Sequence, residues 1–321
     1  SMKYIGLQSQ ISSNNRKSIL LLIAFPLLLL GLVWLFFFAI NIYLNDEIVS
    51  FNIDTVHSGF LYSVPYVTIG VVIWFLIAWF SHSSMIQRAT GSKPLERKEN
   101  KRVYNLTENL CISRGMKMPK IYIIEDDSLN AFASGLSDKT FAVSLSRGII
   151  NKLEDDELEA VIAHELTHII NRDVRLLIVS IIFVGIFTFI TEMAFRSLRF
   201  AGRGRGKKEG GAIVIVLIVV VLGIIGMILS SFFRFTLSRK REYLADAGAA
   251  EMTKKPLALA SALKKISKDP WIEAVKRDDV AQMFIDHPTK KKDRKSLSTF
   301  FNGIFATHPP IKERIQVLEQ F

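Results

Sequence analysis

The chain has 321 residues, half of them hydrophobic, with 23 Phe, one Cys and a formal net charge of +11. This composition is too apolar for an ordinary soluble domain, and a single cysteine, Cys111, excludes a framework of internal disulfide bonds. The basic excess fits membrane topology better than nucleic-acid binding, because many basic residues flank long uncharged segments.

Four long apolar segments divide the sequence. Three carry no charged residue, and the remaining one carries only Glu192, near its end. A helix of about 20 apolar residues spans the roughly 30 Å hydrocarbon core of a bilayer. We therefore predict a mainly α-helical, multi-span membrane protein with spanning helices at Ile19–Ile40, Phe60–Phe80, Leu176–Phe195 and Ala212–Phe233.

The charges around these segments predict their orientation. Arg16 and Lys17 precede the first segment, the loop Asn45–Gly59 has acidic residues but no Lys or Arg, and basic residues follow Phe80. Because basic flanks stay in the cytoplasm, we expect the N-terminus and the segment after Phe80 there. The basic connection Gly202–Gly211 leaves two alternatives open: the second hairpin crosses the bilayer despite its charge, or it stays at the cytosolic side.

The alternation of apolar and polar segments predicts four parts of the chain. Residues 1–81 form an N-terminal transmembrane hairpin, and residues 82–175 form the first part of a catalytic domain. Residues 176–233 form a second hydrophobic hairpin, and residues 234–321 complete the catalytic domain.

The polar parts combine a few strands with several helices. Lys120–Ile124 and Thr140–Leu145 are rich in β-branched and aromatic residues and are predicted strands, with the small-residue stretch Asn130–Gly135 between them. The acidic run from Glu154 opens a helix, because acidic side chains are stabilised at a helix N-terminus. Two later helices begin with Pro in the first turn, at Pro256–Lys268 and Pro309–Gln320.

The helix after Glu154 carries His164, Glu165 and His168 in the pattern H-E-x-x-H. Histidines four residues apart lie on one face of a helix, so both imidazoles can reach one metal ion. Glu165 is placed to take a proton from the attacking water. The alternative, two unconnected surface histidines, fits poorly with the apolar flanks of this helix.

Catalytic zinc usually has three protein ligands, so a third residue is required. The metzincin pattern would place Gly and His where this chain has Asn171 and Val174. A carboxylate on a later helix is the other route: Glu242 would bind the metal while Asp246, four residues on, accepts an imidazole N–H. From spacing alone, a charged turn whose carboxylates merely pair with Lys or Arg is equally open.

Both metal-binding segments come close to apolar segments in the sequence. If the helix of His168 runs straight on, about 12 Å of helix separates it from Leu176, and Glu242 follows Phe235 by about 10 Å of helix. The metal centre is therefore expected beside the membrane.

Four pieces of the chain, in order, are similar to the HtpX-type bacterial heat-shock proteases, which share a zinc-peptidase family with the CAAX prenyl proteases. The pieces are Asn130–Gly135, Asp155–Asp173, Ser238–Asp246 and Thr307–Pro310. The resemblance implies a cytosolic, zincin-like metalloprotease domain, helical with a small β-sheet, and one Zn²⁺ per chain. It implies that His164, His168 and Glu242 bind the zinc and that Glu165 is the base.

The same resemblance implies a multi-pass protein of the bacterial inner membrane that cleaves membrane or misfolded proteins at the cytosolic face, in quality control and the stress response. The expected partners are such polypeptides and the lipid bilayer, without nucleic acid. Asn130, Ala131 and Phe132 are expected to line an edge strand that pairs with an extended substrate. His308 is a candidate oxyanion donor or regulatory extra ligand; the alternative is a place at the start of the next helix.

Two other classes of protein compete with a protease. A channel or transporter commonly has charged or broken helices at the membrane midplane, whereas this polar constellation lies outside the apolar segments. A membrane-tethered scaffold or chaperone with a structural metal would close the site with four protein ligands and would not need Glu165. The sequence therefore favours the protease.

Overall fold

The computed structural model describes residues 7–44, 52–201, 210–235, 239–268 and 310–320. These ranges are mostly helical with a small mixed sheet, which confirms the predicted fold class. The elements, in chain order, are α1 (Leu7–Leu44), α2 (Ile53–Thr90), β1 (Lys93–Pro94), α3 (Lys101–Arg114), β2 (Lys120–Ile124), β3 (Ala131–Ser134), β4 (Ala142–Ser146), α4 (Arg147–Lys152), α5 (Asp155–Ile170), α6 (Asp173–Ala201), α7 (Gly210–Phe235), α8 (Arg239–Thr253), α9 (Pro256–Ile266) and α10 (Ile311–Leu318).

Four helices, α1, α2, α6 and α7, contain the predicted apolar segments, and each is long and apolar enough to cross a membrane. Residues 17–80 and 179–234 form one compact unit. Within this unit α6 is the central helix: Phe183 stacks on Phe25 of α1 and on Phe75 of α2, with ring centroids 4.8 Å and 5.7 Å apart. The indole N–H of Trp74 in α2 donates to the Ile182 carbonyl at 3.0 Å. These contacts join α1 and α2 to α6.

The second compact unit comprises residues 1–16, 81–178 and 235–321. Its sheet has the strand order β1-β2-β4-β3. The central strands β2 and β4 are parallel, with Lys120 opposite Ala142 and Ile124 opposite Ser146, while β1 and β3 pair antiparallel on the two sides. Among the described strands β3 lies at one end of the sheet and has one neighbour, β4.

Helix α5 forms the centre of this unit and packs on β3, α3, α8 and α9. Its start is fixed by a capping box: the Glu154 N–H donates to Glu157 Oε2 at 2.9 Å, and the Glu154 side chain accepts from the Glu157 N–H. From Leu158 to Ile169 most of its side chains are buried, including polar ones. A helix covered on nearly every side places its polar residues in the protein interior, where they require partners.

The helix does not run straight on from His168 to Leu176. Helix α5 ends at Ile170, α6 begins at Asp173, and Arg172 between them has a left-handed φ of 64°. This conformation costs a non-glycine residue on the order of 1 kcal/mol or more. The Arg172 guanidinium donates to Asp138 Oδ1 at 2.9 Å and lies 5.2 Å from the Phe141 ring centroid, and these contacts stabilise the turn.

Some predicted boundaries differ from those in the structure. Strand β4 begins at Ala142 rather than at Thr140, because Thr140 Oγ1 accepts from the Leu136 and Ser137 N–H groups and belongs to a turn. Helix α9 stops at Ile266, and α10 starts at Ile311 with Pro310 as its N-cap. His308 lies outside the described residues.

Candidate metal centre

Helices α5 and α8 bring three potential ligands to one point. His164 Nε2 lies 3.2 Å from His168 Nε2, and the two rings are perpendicular. Glu242 closes the triangle, with Oε2 3.5 Å from His164 Nε2 and Oε1 3.4 Å from His168 Nε2. One ligand atom from each residue falls within 4.8 Å of the others. The residues that spacing and resemblance pointed to therefore meet in the fold.

Each histidine is oriented by its own carboxylate. His164 Nδ1 lies 3.0 Å from Asp246 Oδ1, the residue expected to accept an imidazole N–H. His168 Nδ1 is hydrogen-bonded to Asp173 Oδ2 at 3.1 Å. A carboxylate at Nδ1 retains the proton there and leaves the Nε2 lone pair available. In that tautomer both Nε2 atoms, which are 3.2 Å apart, can bind a cation.

A buried arginine supports the first of these carboxylates. Arg314 of α10 is fully buried and donates from Nε to Asp246 Oδ2 at 2.8 Å and from Nη2 to Asp246 Oδ1 at 2.7 Å. Its Nη1 lies 3.6 Å from Glu242 Oε2. Burial alone would raise the pKa of Asp246, but the Arg314 charge outweighs this effect and lowers the pKa to about 2. Arg314 therefore keeps Asp246 ionised and fixed in place.

The donor atoms fit a small divalent cation. Two imidazole lone pairs facing each other at 3.2 Å repel unless a proton or a cation lies between them. Zinc bonds of about 2.0–2.1 Å at tetrahedral angles hold neighbouring ligand atoms roughly 3.3 Å apart. The two Nε2 atoms are 3.2 Å apart, and each has a different oxygen of Glu242 at 3.4 or 3.5 Å, so the three residues can approach this spacing. Two imidazoles and one carboxylate are also the donor set of a common class of catalytic zinc site.

The charges of the groups around His164, His168 and Glu242 also favour a bound cation. Burial disfavours an imidazolium, yet Glu242 and Asp173 outweigh it and raise the pKa of His168 to about 10, so the site favours positive charge. With all ionised, the carboxylates and guanidinium groups gathered here carry two net negative charges, which a divalent cation would neutralise. They are Glu165, Glu242, Asp173, Asp246, Arg241 and Arg314.

Glu165 is buried on α5 beside the two histidines, with 2% of its surface exposed. Burial raises the pKa of the Glu165 carboxyl, and the charge of Glu242 adds to this rise, although His164 and His168 oppose it. A carboxylate with a raised pKa accepts a proton more readily than an ordinary glutamate near neutral pH. The arrangement can therefore support proton transfer next to a metal ion.

Strand β3 contains two of the three residues expected to line a substrate strand. Ala131 and Phe132 are fully buried, and Asn130 immediately precedes them. The Asn130 carbonyl accepts from the Ser146 N–H at 3.0 Å, and the Asn130 N–H donates to Ser146 Oγ at 3.0 Å. These two hydrogen bonds hold Asn130 against Ser146 at the end of β4.

The sequence did not reveal Asp173 or Arg314 as parts of this site. Asp173 follows His168 by five residues, which is off its face in a continuous helix; only the turn at Arg172 brings it back. Arg314 occurs on a short amphipathic helix, where an arginine is ordinarily solvent-exposed. Its position, four residues after Pro310, gives no indication that it is buried.

Comparison with known proteins identifies relatives over the whole chain. The family described as Peptidase family M48 matches residues 97–321. The protein named Protease HtpX homolog from Bacteroides fragilis is 56% identical over 324 residues, covering 100% of both chains. The protein of the same name from Listeria monocytogenes serotype 4a is 34% identical, covering 97% of this chain and 98% of its own. The crystal structure of S. mikatae Ste24p gives a TM-score of 0.45 at 21% identity, covering 81% of this chain and 58% of that one.

Proposed function

The chain belongs to peptidase family M48 and is a membrane metallopeptidase, and from this premise we propose that it is a zinc endopeptidase that cleaves membrane or misfolded proteins at the cytosolic face of a bacterial inner membrane. The observation that carries the proposal is the meeting of His164, His168 and Glu242 within 4.8 Å, beside the buried Glu165. We propose one zinc ion per chain.

The proposed reaction assigns a separate task to each side chain. His164, His168 and Glu242 would hold a zinc ion, which would supply polarisation of the peptide carbonyl and acidification of water. Glu165 takes a proton from the attacking water and passes it to the leaving amine, for which its raised pKa suits it. Asp246 and Asp173 hold the imidazoles of His164 and His168 in the orientation that binding requires.

An extended polypeptide is the substrate that the fold accommodates most directly. Strand β3 lies at one end of the described sheet, and α5 packs directly on this strand. Pairing of a substrate strand beside β3 would use the substrate's main chain and require no free terminus, which favours cleavage within a chain. Unfolded segments have free main-chain groups for such pairing, whereas most main-chain groups of a folded protein are already hydrogen-bonded. We therefore propose that the enzyme acts in quality control and the stress response.

The proposed location follows from the chain order. The metal helix α5 ends three residues before α6, a helix long enough to span a membrane. Basic residues flank the first two apolar segments on the side of the catalytic domain. These features support a cytosolic site close to the bilayer, within reach of unfolded segments of membrane proteins.

The test compares Glu165→Gln with Glu159→Gln in the full-length protein in detergent. Glu159 lies on the same helix with 22% of its side chain exposed and pairs with Lys255, so its variant controls for loss of a carboxylate from α5. Labelled casein and a destabilised membrane protein serve as substrates, mass spectrometry locates the cuts, and elemental analysis counts zinc.

We expect Glu165→Gln to retain zinc and lose cleavage, and Glu159→Gln to keep both. The cuts should be internal and should stop when 1,10-phenanthroline removes the metal. Proteolysis retained by Glu165→Gln, or unaffected by the chelator, would contradict the assignment. Release of terminal residues alone would contradict endopeptidase activity.

A further inference from the structure

Asn14, which is distant in sequence from the predicted metal ligands, is hydrogen-bonded to Asp173, the carboxylate beside His168. Asn14 of α1 has 3% of its surface exposed. Its side-chain amide donates to the Asn171 carbonyl at 2.8 Å and to Asp173 Oδ1 at 2.7 Å. The other oxygen of Asp173 is hydrogen-bonded to His168 Nδ1. Asn14, Asp173 and His168 therefore form a continuous chain of hydrogen bonds that ends at a predicted metal ligand.

The two bonds from Asn14 join opposite sides of the turn between α5 and α6. Asn171 is the C-cap of α5 and Asp173 is the first residue of α6, while Arg172 between them holds the left-handed conformation. The final carbonyls of a helix have no donor within the helix, so the Asn14 amide supplies one from outside. Its second donor fixes the Asp173 carboxylate. One amide group therefore sets the geometry of the turn and of the residue that contacts His168.

The chemistry of the amide suits this place. A primary amide has two N–H donors and no charge, so it serves both acceptors without adding charge to a site that already holds several carboxylates. An aspartate would bring another negative charge against Asp173, and an apolar side chain would leave a buried carboxylate with fewer donors.

We propose that Asn14 is a positioning residue of the metal centre. It holds Asp173 where that carboxylate retains the proton on His168 Nδ1 and directs His168 Nε2 toward the metal. The inference rests on the proposed metal site. Helix α1 would then have a second role. It contains the first apolar segment, and Asn14, which precedes that segment, supports the imidazole of His168 through Asp173.

The experiment measures zinc affinity in the full-length protein by competition with a chromophoric chelator. Asn14→Leu keeps the size of the side chain and removes both donors, while Asn14→Ser retains one donor. Asn15→Ala is the matched control, because Asn15 is the next residue of α1 and its Oδ1 has no hydrogen-bond partner among the described residues. Asp173→Ala, alone and combined with Asn14→Leu, tests whether Asn14 acts through Asp173.

We expect Asn14→Leu to weaken zinc binding by about 10- to 100-fold, Asn14→Ser to weaken it less, and Asn15→Ala to leave it unchanged. In the Asp173→Ala background, Asn14→Leu should have little further effect, because the group through which it acts is gone. The visible absorption bands of the Co²⁺-loaded protein should shift in Asn14→Leu, since the geometry of one ligand changes, and stay in place in Asn15→Ala.

Three outcomes would overturn the inference. Zinc affinity within twofold of wild type in Asn14→Leu would exclude a positioning role. A lower melting temperature with unchanged zinc affinity would show that Asn14 only stabilises the fold. A full effect of Asn14→Leu in the Asp173→Ala background would show that it does not act through Asp173. If Asn14→Leu fails to fold, Asn14→Ser decides between the same outcomes. Failure of the proposed function is distinguishable, because wild type itself would then neither bind zinc nor cleave.

Discussion

Gly248 of α8 lies against Thr167 of α5 so closely that a β-carbon at position 248 would lie 2.5 Å from Thr167 Cγ2. Thr167 immediately precedes the proposed ligand His168, and Gly248 lies on the helix that provides Glu242 and Asp246. Because position 248 has no side chain, α8 can approach α5 this closely. We expect the separation of the proposed metal ligands to depend on this contact.

Gly248→Ala should weaken the metal site by forcing the two helices apart. Overpacking at such a contact typically costs about 1–3 kcal/mol of folding free energy, and zinc affinity should fall with it. The measurements are thermal unfolding and chelator competition.

Removing the opposing atoms provides the control for Gly248→Ala. Thr167→Ala deletes Cγ2 and the hydroxyl that donates to the Ala163 carbonyl, so it carries a small cost of its own. The double variant should nevertheless bind zinc more tightly than Gly248→Ala alone. Simple addition of the two separate losses would show that the contact does not control the ligand spacing.

Arg314→Met should damage the site although Arg314 is not a proposed metal ligand. Without its guanidinium, Asp246 becomes a buried carboxylate with no cation beside it, which costs about 3–5 kcal/mol in comparable pairs. Arg314→Lys should recover part of this loss, because a lysine retains the charge but not the paired hydrogen bonds. Lys312→Met, at an exposed position on the same helix, is the control and should behave as wild type. Unfolding curves and zinc content distinguish these variants.

Cys111 should react slowly with alkylating reagents in the folded protein. Burial, with a contribution from Glu108, raises the pKa of the Cys111 thiol to about 11. The thiolate is the reactive form, so the rate should rise as the pH approaches 11; near pH 8 only about one molecule in a thousand carries it. Iodoacetamide labelling at several pH values, in native buffer and in denaturant, measures the alkylation rate of Cys111 as a function of pH.

Ile112→Cys in a Cys111→Ser background is the control for the thiol measurement, because position 112 is 73% exposed. It should be labelled at the rate of a free thiol. Equal rates for native Cys111 and this control would mean that α3 opens readily or that the thiol is not protected.

Cysteine labelling should also establish the topology, in cells expressing single-cysteine variants without Cys111. Lys98→Cys should be labelled only after the membrane is permeabilised, and Asn52→Cys should be labelled from outside. We expect Gly204→Cys to be labelled from outside as well, because α6 and α7 are both long enough to span, and because the ligands before and after this hairpin meet in one unit. Labelling of Gly204→Cys only from inside would show that the second hairpin does not cross.

Much of the fold could be predicted because its signals are local. The four apolar segments and the strand Lys120–Ile124 follow from composition over a short window. The turn at Arg172 could not be predicted, because a left-handed residue that is not glycine depends on partners such as Asp138 and Phe141, distant in sequence.

In the candidate site, too, some residues could be predicted from local sequence and others could not. His164 and His168 could be paired from helical spacing, and Glu242 required a family resemblance, since spacing alone left it equally compatible with a surface ion pair. Asn14 and Arg314 became visible only when the fold placed them against Asp173 and Asp246. Both residues are distant in sequence from His164–His168 and from Glu242. By sequence, each is an ordinary polar residue of its helix.

The order of ligands along the chain has a consequence for biosynthesis. During translation, His164 and His168 are synthesised first. The helices α6 and α7, both long enough to span a membrane, are synthesised next, and Glu242 follows them. While those helices are made, the nascent chain therefore carries Glu165, the proposed base, without Glu242, the third proposed metal ligand. During that time its own apolar segments are unfolded polypeptide of the kind that we propose as substrate. The order of the ligands along the chain thus delays the proposed proteolytic activity of a newly made molecule until its own α6 and α7 have been synthesised.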